Sequence, residues 1–437
     1  MALAQAFIEK LNDRSLKVGV IGLGYVGLPF AVEKAKMGYE VVGIDYNQHR
    51  VDQVNQGENY IGDVDDDELR ELVASGKLRA TTDYDIVPEL DAIVIAVPTP
   101  LDKNLAPDLR FIVAVTKSLA PRIRPGQLIS LESTTFPGTT EEVMLPILAE
   151  SGLKVEDDFF LAHSPERVDP GNRRYHTKNT NKVVGGVGPR SLDIATLFYR
   201  ATIDHVVQVS NAKAAEMVKV FENTFRAVNI ALVNELLKLC DRMDLSVWEV
   251  LEAANTKPFG IMRFMPGPGV GGHCIPLDPH YLEWKAREYN FTTRFIALAG
   301  EINRSMPEFT RAKAVRVLNR YKKAISGAKL LVLGVAYKRD IDDPRESPSI
   351  DLIRLLQDAG ACVSYHDPHI PQFDEHGVAM TSVDLTSEVL AAQDLVIIAT
   401  DHTTVDYEFV AEHAKAVFDT RNAASKVERN RDKIVLL

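Results

Sequence analysis

The chain has 437 residues, enough for two or three domains with cores of their own. Hydrophobic residues make up 46% and charged residues 25%, the balance of a soluble globular protein, and a net charge of −11 argues against nucleic acid as a partner. Three cysteines, Cys240, Cys274 and Cys362, are too few for a disulfide framework and point to a reducing compartment, the cytoplasm.

No apolar run approaches the roughly 18 residues that a membrane span needs. Residues 1–10 have their apolar run broken early by charge and predict a short amphipathic helix, not a signal peptide. Residues 17–22 predict a buried strand. Gly22-Leu23-Gly24-Tyr25-Val26-Gly27 follows, then a helix over 28–37 that Gly38 ends. Further strands are expected over 40–45, 91–97, 127–131 and 159–162, and their alternation with helices implies a parallel sheet covered on both faces. Residues 211–243 contain no Gly or Pro and predict one helix of about 30 residues, of the kind that links two domains or packs against its copy in a dimer. From Gly327 the α/β pattern returns, with strands over 329–334, 361–367, 394–400 and 416–419 and a helix over 349–358 that Gly360 ends. The expected architecture is α/β: a Rossmann domain over 1–210, a helical middle over 211–310 and a Rossmann-like domain over 311–437.

Gly22, Gly24 and Gly27 form G-x-G-x-x-G between a strand and a helix. The first allows a tight turn, the second lets the backbone approach a pyrophosphate, and the third lets helix and strand pack closely. The phosphates would rest on the amides of the helix N-terminus. Asp45 stands at the end of the next strand, placed to bind ribose hydroxyls and to repel a 2′-phosphate, which favours NAD over NADP. Arg50 is a counter-argument, because a nearby arginine accepts that phosphate.

Pro266 to Pro279 (PGPGVGGHCIPLDP) sets Cys274 on a glycine-rich loop with Asp278 four residues later. Loops of this kind sit at surfaces and sites, which argues against a buried thiol. Lys219, Asn223 and Arg226 fall on one face of the long helix, where a cation can raise the thiolate fraction of a cysteine. A metal reading would use His273, Cys274, Asp278 and His280, but a structural zinc site wants more thiolates at regular spacing, and no metal is expected. Cys240 and Cys362 read as core residues. Glu166 and Arg167 follow a strand, and residues 338–345 follow the first strand of the C-terminal unit, where open α/β sheets bind ligands. That second segment has cations but no G-x-G-x-x-G, so a second nucleotide-like ligand is expected there, not a second dinucleotide.

Together these residues resemble the UDP-sugar 6-dehydrogenases of the UDP-glucose/GDP-mannose dehydrogenase superfamily. The resemblance runs from Lys17 to about Arg421 and rests on VGVIGLGYVGLP, AVPTP, ESTTFPGTT, SPERVDPG, EMVKVFENTFRAVNIALVNE, PGPGVGGHCIPLDP and residues 338–347. It implies a four-electron oxidation in which a nucleotide sugar's C6 alcohol becomes a carboxylate and two NAD are reduced. Cys274 would be the nucleophile, capturing the C6 aldehyde as a thiohemiacetal that is oxidised to a thioester. Lys219 would steady the oxyanion with Asn223 beside it, and Asp278 and Glu166 would order or activate water. The cofactor positions it implies are Gly22, Gly24, Tyr25, Val26, Gly27, Asp45, Arg50, Thr99, Thr134 and Arg421. The substrate positions are Arg167, Val168, Arg226, Gly271, Lys338, Arg339 and Arg345. UDP-glucose enzymes of the family read N-P-E-F at the glutamate loop and carry Lys before the loop's Asp. Ser164-Pro165-Glu166-Arg167 and Leu277 instead resemble the branch acting on UDP-N-acetylhexosamines. The resemblance favours UDP-N-acetylglucosamine and a role in surface polysaccharide synthesis; UDP-N-acetylmannosamine, UDP-N-acetylgalactosamine and UDP-glucose are the alternatives. It also implies a homodimer built on the long helix.

Overall fold

A computed structural model describes residues 2–437 apart from 103, 170, 171, 173 and 273. The chain forms two compact units, Met1–Glu222 with His280–Phe291, and Asn223–Pro279 with Thr292–Leu437. The stretch expected as one helical middle is divided between them.

The first unit holds an eight-stranded sheet: β1 (Lys17–Ile21), β2 (Glu40–Ile44), β3 (Leu78–Thr81), β4 (Ala92–Ile95), β5 (Leu128–Leu131), β6 (Phe160–His163), β7 (Lys182–Gly186) and β8 (Val206–Gln208). Their order is β3-β2-β1-β4-β5-β6-β7-β8, and the pairings are parallel except for β6 with β7. The order reverses between β1 and β4, the place where such sheets open a ligand crevice. Strands β1, β2, β4 and β5 are rich in Val, Ile and Leu and, apart from the first residues of β1 and β2, are buried on both faces, as parallel strands under two helical layers must be. Val18 and Val20 face one core and Ile21, Ile93 and Ile95 the other, each buried side chain contributing about 1.5–3 kcal/mol. Strands β3, β7 and β8 were not expected; β3 alternates buried and exposed residues, and β8 has only three.

The second unit carries a five-stranded parallel sheet, β9 (Lys329–Leu333), β10 (Cys362–His366), β13 (Leu395–Ile398), β14 (Val417–Asp419) and β15 (Ile434–Leu436), in the order β10-β9-β13-β14-β15. A hairpin, β11 (Gln372–Glu375) with β12 (Val378–Thr381), stands apart from it. Cys362 is exposed, contrary to the expectation that it is a core residue, because it opens the edge strand β10. Cys240 is buried with Val233 and Leu237, all on the long helix Ala212–Met243. No helix among the described residues is long and apolar enough to cross a membrane.

Candidate active site

In the first unit the glycine turn has the geometry its sequence predicts. Gly22 adopts φ +91°, and a Cβ on Gly27 would lie 1.8 Å from the Gly22 carbonyl oxygen, so neither tolerates a side chain. A Cβ on Gly24 would meet nothing within 4 Å, which leaves the open approach that a pyrophosphate needs. Asp45, buried at the end of β2, accepts from the Leu23 amide at 2.8 Å and the Asn47 amide at 2.9 Å, and Arg50 stands 3.7 Å from it. That pairing weakens the argument that Arg50 serves a 2′-phosphate. Tyr25 is exposed beside the turn and Val26 precedes the helix Gly27–Lys36. Thr99 donates to the Thr134 carbonyl at 2.6 Å, joining two expected cofactor positions that follow β4 and β5. This set fits a bound dinucleotide.

Glu166, in the loop after β6, is held on both oxygens. One accepts from the amides of Arg167 (2.7 Å) and Val168 (2.8 Å); the other accepts from Lys182 at 2.8 Å. Burial acts to raise its pKa, but Lys182 and the two amides outweigh it, and the carboxyl stays below its ordinary value. Arg167 donates to Glu222 and, at 2.6 Å, to the Asn181 carbonyl. Lys219 is buried on the long helix, one turn after Glu216. Glu216 accepts from the Thr140 amide at 2.8 Å and its hydroxyl at 2.7 Å, and burial pushes its carboxyl up to about 7. Neither Lys182 nor Glu216 was among the expected site residues. The one signal for Lys182 was a lysine opening an otherwise apolar strand.

The second unit holds the cysteine loop. Cys274 is exposed and unbridged, and its carbonyl accepts from the Asp278 amide at 2.9 Å. Asp278 is buried and accepts from the side-chain amide of Asn223, whose oxygen in turn accepts from Arg226. Four expected residues, Cys274, Asp278, Asn223 and Arg226, are thus brought together. His273, weighed above as a metal ligand, lies outside the described residues, as do Pro170 and Gly171 of the glutamate-loop block. Only glycine fits at Gly271 and Gly272. A Cβ on the first would lie 2.7 Å from the Glu346 carbonyl oxygen, and Gly272 has φ +82° with the Tyr337 ring 2.8 Å from its Cβ position. The loop is therefore seated on residues 337–348.

Those residues border a cavity of about 240 Å³ lined by Tyr337, Lys338, Arg339, Thr400, Asp401 and Arg421. It lies beyond the C-terminal ends of the paired strands β9 and β13, between which the order of this sheet reverses. Arg339 pairs with Asp401, and Arg345 makes a two-point contact with Asp343 at 2.8 and 2.6 Å. Arg421 belongs to this cavity in the second unit; it donates to the Ala399 carbonyl at 2.9 Å, and burial lowers its pKa. Asp340, His369 and His402 gather at the same sheet edge. The His402 ring is already committed, accepting from the Asp340 amide at 3.0 Å and facing Asp367 at 3.1 Å.

Residues 16–203, 213–305 and 331–426 match, respectively, the NAD binding, central and UDP binding domains of the UDP-glucose/GDP-mannose dehydrogenase family. The chain belongs to this family. It is 35% identical to a UDP-N-acetyl-D-mannosamine dehydrogenase of Methanococcus maripaludis over 95% of both chains. It is 36% identical to a UDP-N-acetyl-D-glucosamine 6-dehydrogenase of Pseudomonas aeruginosa over 89% of this chain and 91% of the other. The solved UDP-D-ManNAc dehydrogenase of Pyrococcus horikoshii superposes with a TM-score of 0.87 at 33% identity, covering 96% of this chain and 98% of that one. Membership makes the protein an NAD-dependent oxidoreductase acting on a CH–OH group of a UDP-sugar.

Proposed function

We propose that the protein oxidises the C6 alcohol of a UDP-N-acetylhexosamine to the carboxylate, in two steps joined by a covalent adduct on Cys274. The observation that carries this reading is the exposed Cys274 on a loop that only glycines can form, with Asp278 hydrogen-bonded to Asn223.

NAD, when bound, supplies the hydride acceptor for each oxidation. The chain's residues do the rest. Lys219 receives the alcohol proton and steadies the oxygen as the aldehyde forms. The Cys274 thiolate adds to the aldehyde carbon to give a thiohemiacetal, and loss of the second hydride leaves a thioester. Water ordered by Asp278 and Glu166 attacks the thioester carbon; the C–S bond breaks, the acid leaves and the thiol is restored. Lys338, Arg339, Arg345 and Arg421 supply positive charge for the substrate's diphosphate, with Arg167, Val168, Arg226 and Gly271 toward the sugar.

The motif reading favours the gluco epimer. The mannosamine names of the Methanococcus and Pyrococcus relatives, which span 95% or more of their lengths, favour the manno epimer. Parallel assays with both epimers decide. The reading predicts two NADH per sugar; a ratio of one overturns the double oxidation. Cys274→Ser keeps ligand binding and loses acid formation, and unchanged turnover in that variant overturns the thioester route.

A homodimer on the long helix is part of the proposal. Phe225, Leu232 and Leu239 recur every seven residues and are exposed, as is Met243, a seam of the coiled-coil kind. The exposed thiols of Cys274 and Cys362 fit a reducing compartment such as the cytoplasm.

A further inference from the structure

The first unit buries a charged cluster of which the reaction above uses only Glu166. Lys182, the first residue of β7, has a side chain only 3% exposed, and its ammonium donates to Glu132 at 3.0 Å and to Glu166 at 2.8 Å. Glu132 directly follows β5 and is fully buried; its other oxygen accepts from the Tyr199 hydroxyl at 2.8 Å. Tyr199, on the helix Pro189–Arg200, also meets the Ser130 hydroxyl at 2.8 Å. Two more titratable groups face the cluster. Lys34, fully buried, donates to the Phe198 carbonyl, and burial holds its pKa well below the usual lysine range. His163, fully buried at the end of β6, is pushed down to about 3 by burial and then by Lys182, so it stays neutral. Lys182 is therefore the one ammonium among the described residues that contacts both carboxylates, and its charge is divided between them.

We propose that Lys182 is a positioning residue that keeps Glu166 ionised and aimed, and that Glu132 sets how much of the Lys182 charge reaches Glu166. The inference rests on the reading of Glu166 as a carboxylate that acts on water. The physical basis is the cost of a buried carboxylate. Out of water it takes up a proton unless a cation compensates it, and one cation shared by two carboxylates compensates each incompletely. Glu132, enclosed on all sides, is displaced upward by burial and Glu166 downward, the ordering expected if the shared cation serves Glu166 more fully. The amides of Arg167 and Val168 hold the second Glu166 oxygen, so Lys182 and the backbone together fix the carboxylate plane.

The test is the pH profile of kcat for NADH formation with NAD and a UDP-N-acetylhexosamine, in full-length Lys182→Met, Lys182→Arg, Glu132→Gln and Glu166→Gln. Without the Lys182 cation the Glu166 pKa rises, so the acid limb in Lys182→Met moves to higher pH by about one unit or more, and Lys182→Arg moves it back. Without the Glu132 charge the Glu166 pKa falls, so the acid limb in Glu132→Gln moves to lower pH. The KM for NAD stays within about two-fold throughout, because the Asp45 turn is untouched. A residue that merely supports the fold lowers activity without moving the limb. An unmoved limb, or one that moves the same way in Lys182→Met and Glu132→Gln, overturns the proposal. If Lys182→Met does not fold, Glu132→Gln carries the test alone, since Gln preserves the shape. A wild-type profile in Glu166→Gln overturns instead the role given to Glu166, a result distinct from the others.

Discussion

The side-chain amide of Asn223 donates to the carboxylate of Asp278, a buried polar contact between the long helix and the cysteine loop. Asn223→Ala removes one donor from that buried carboxylate, a loss of about 1–3 kcal/mol. The expected result is a kcat lower by about 10–100-fold with little change in NAD affinity, read by steady-state kinetics and NADH titration. Equal losses in both would place Asn223 in general folding and not at the site.

Gly24 and Gly27 separate two uses of glycine. Gly27→Ala puts a Cβ 1.8 Å from the Gly22 carbonyl oxygen, so the strand-to-helix turn must open and thermal stability must fall. Gly24→Ala meets nothing in the protein, so the melting temperature should hold while NAD affinity falls by about ten-fold or more. A Gly24→Ala variant with normal NAD affinity would show that the pyrophosphate lies elsewhere.

Gly272→Ala combines a left-handed backbone with a 2.8 Å approach to the Tyr337 ring. It is expected to cost about 1–3 kcal/mol of stability, and the displaced loop should slow modification of Cys274 by a thiol reagent. Denaturant unfolding and labelling rates measure the two effects separately.

Glu216 provides a pH signature for the first unit. Its ordinary carboxyl value of 4.5 is raised to about 7 by burial, so its contribution is fully present below about 4.5 and lost as pH rises through about 7. Glu216→Gln removes the cost of burying the charged form. The variant should therefore gain on wild type between pH 5 and 8, by at most about 3 kcal/mol, in melts taken at each pH. A stability difference that is flat across this range would show that Glu216 does not titrate there.

Arg421 tests the assignment of the cavity in the second unit. It was expected among the cofactor contacts, yet it lines the cavity with Lys338 and Arg339. Arg421→Met should raise the KM for the UDP-sugar by about ten-fold and leave that for NAD near its original value. The reverse pattern would return Arg421 to the cofactor.

What could be read from the sequence was local. The turn from Gly22 to Gly27, the uninterrupted helix Ala212–Met243 and the glycine loop around Cys274 each announce themselves through neighbours a few residues apart. The Lys182 cluster was not legible, because its partners Glu132 and Glu166 lie 50 and 16 residues away and meet it only once β5, β6 and β7 are side by side. Cys362 was misplaced for a related reason. An apolar-looking strand has the same sequence pattern whether it lies inside a sheet or at its edge, and β10 lies at the edge.

Asp367 occupies in the second sheet the place that Asp45 has in the first, after the strand next to the crossover, but its oxygens are consumed by the amides of Val335, Ala336 and His369 at 2.7, 3.0 and 2.9 Å and by His402. It is sealed from solvent and reads no ribose. Among the described residues this leaves the Asp45 turn as the candidate berth for a dinucleotide, and the two oxidations proposed above would take turns in it. Under that proposal spent cofactor would depart and a fresh one arrive while the half-oxidised sugar waits. The proposed tether to Cys274 would then hold the sugar in place for as long as that exchange lasts.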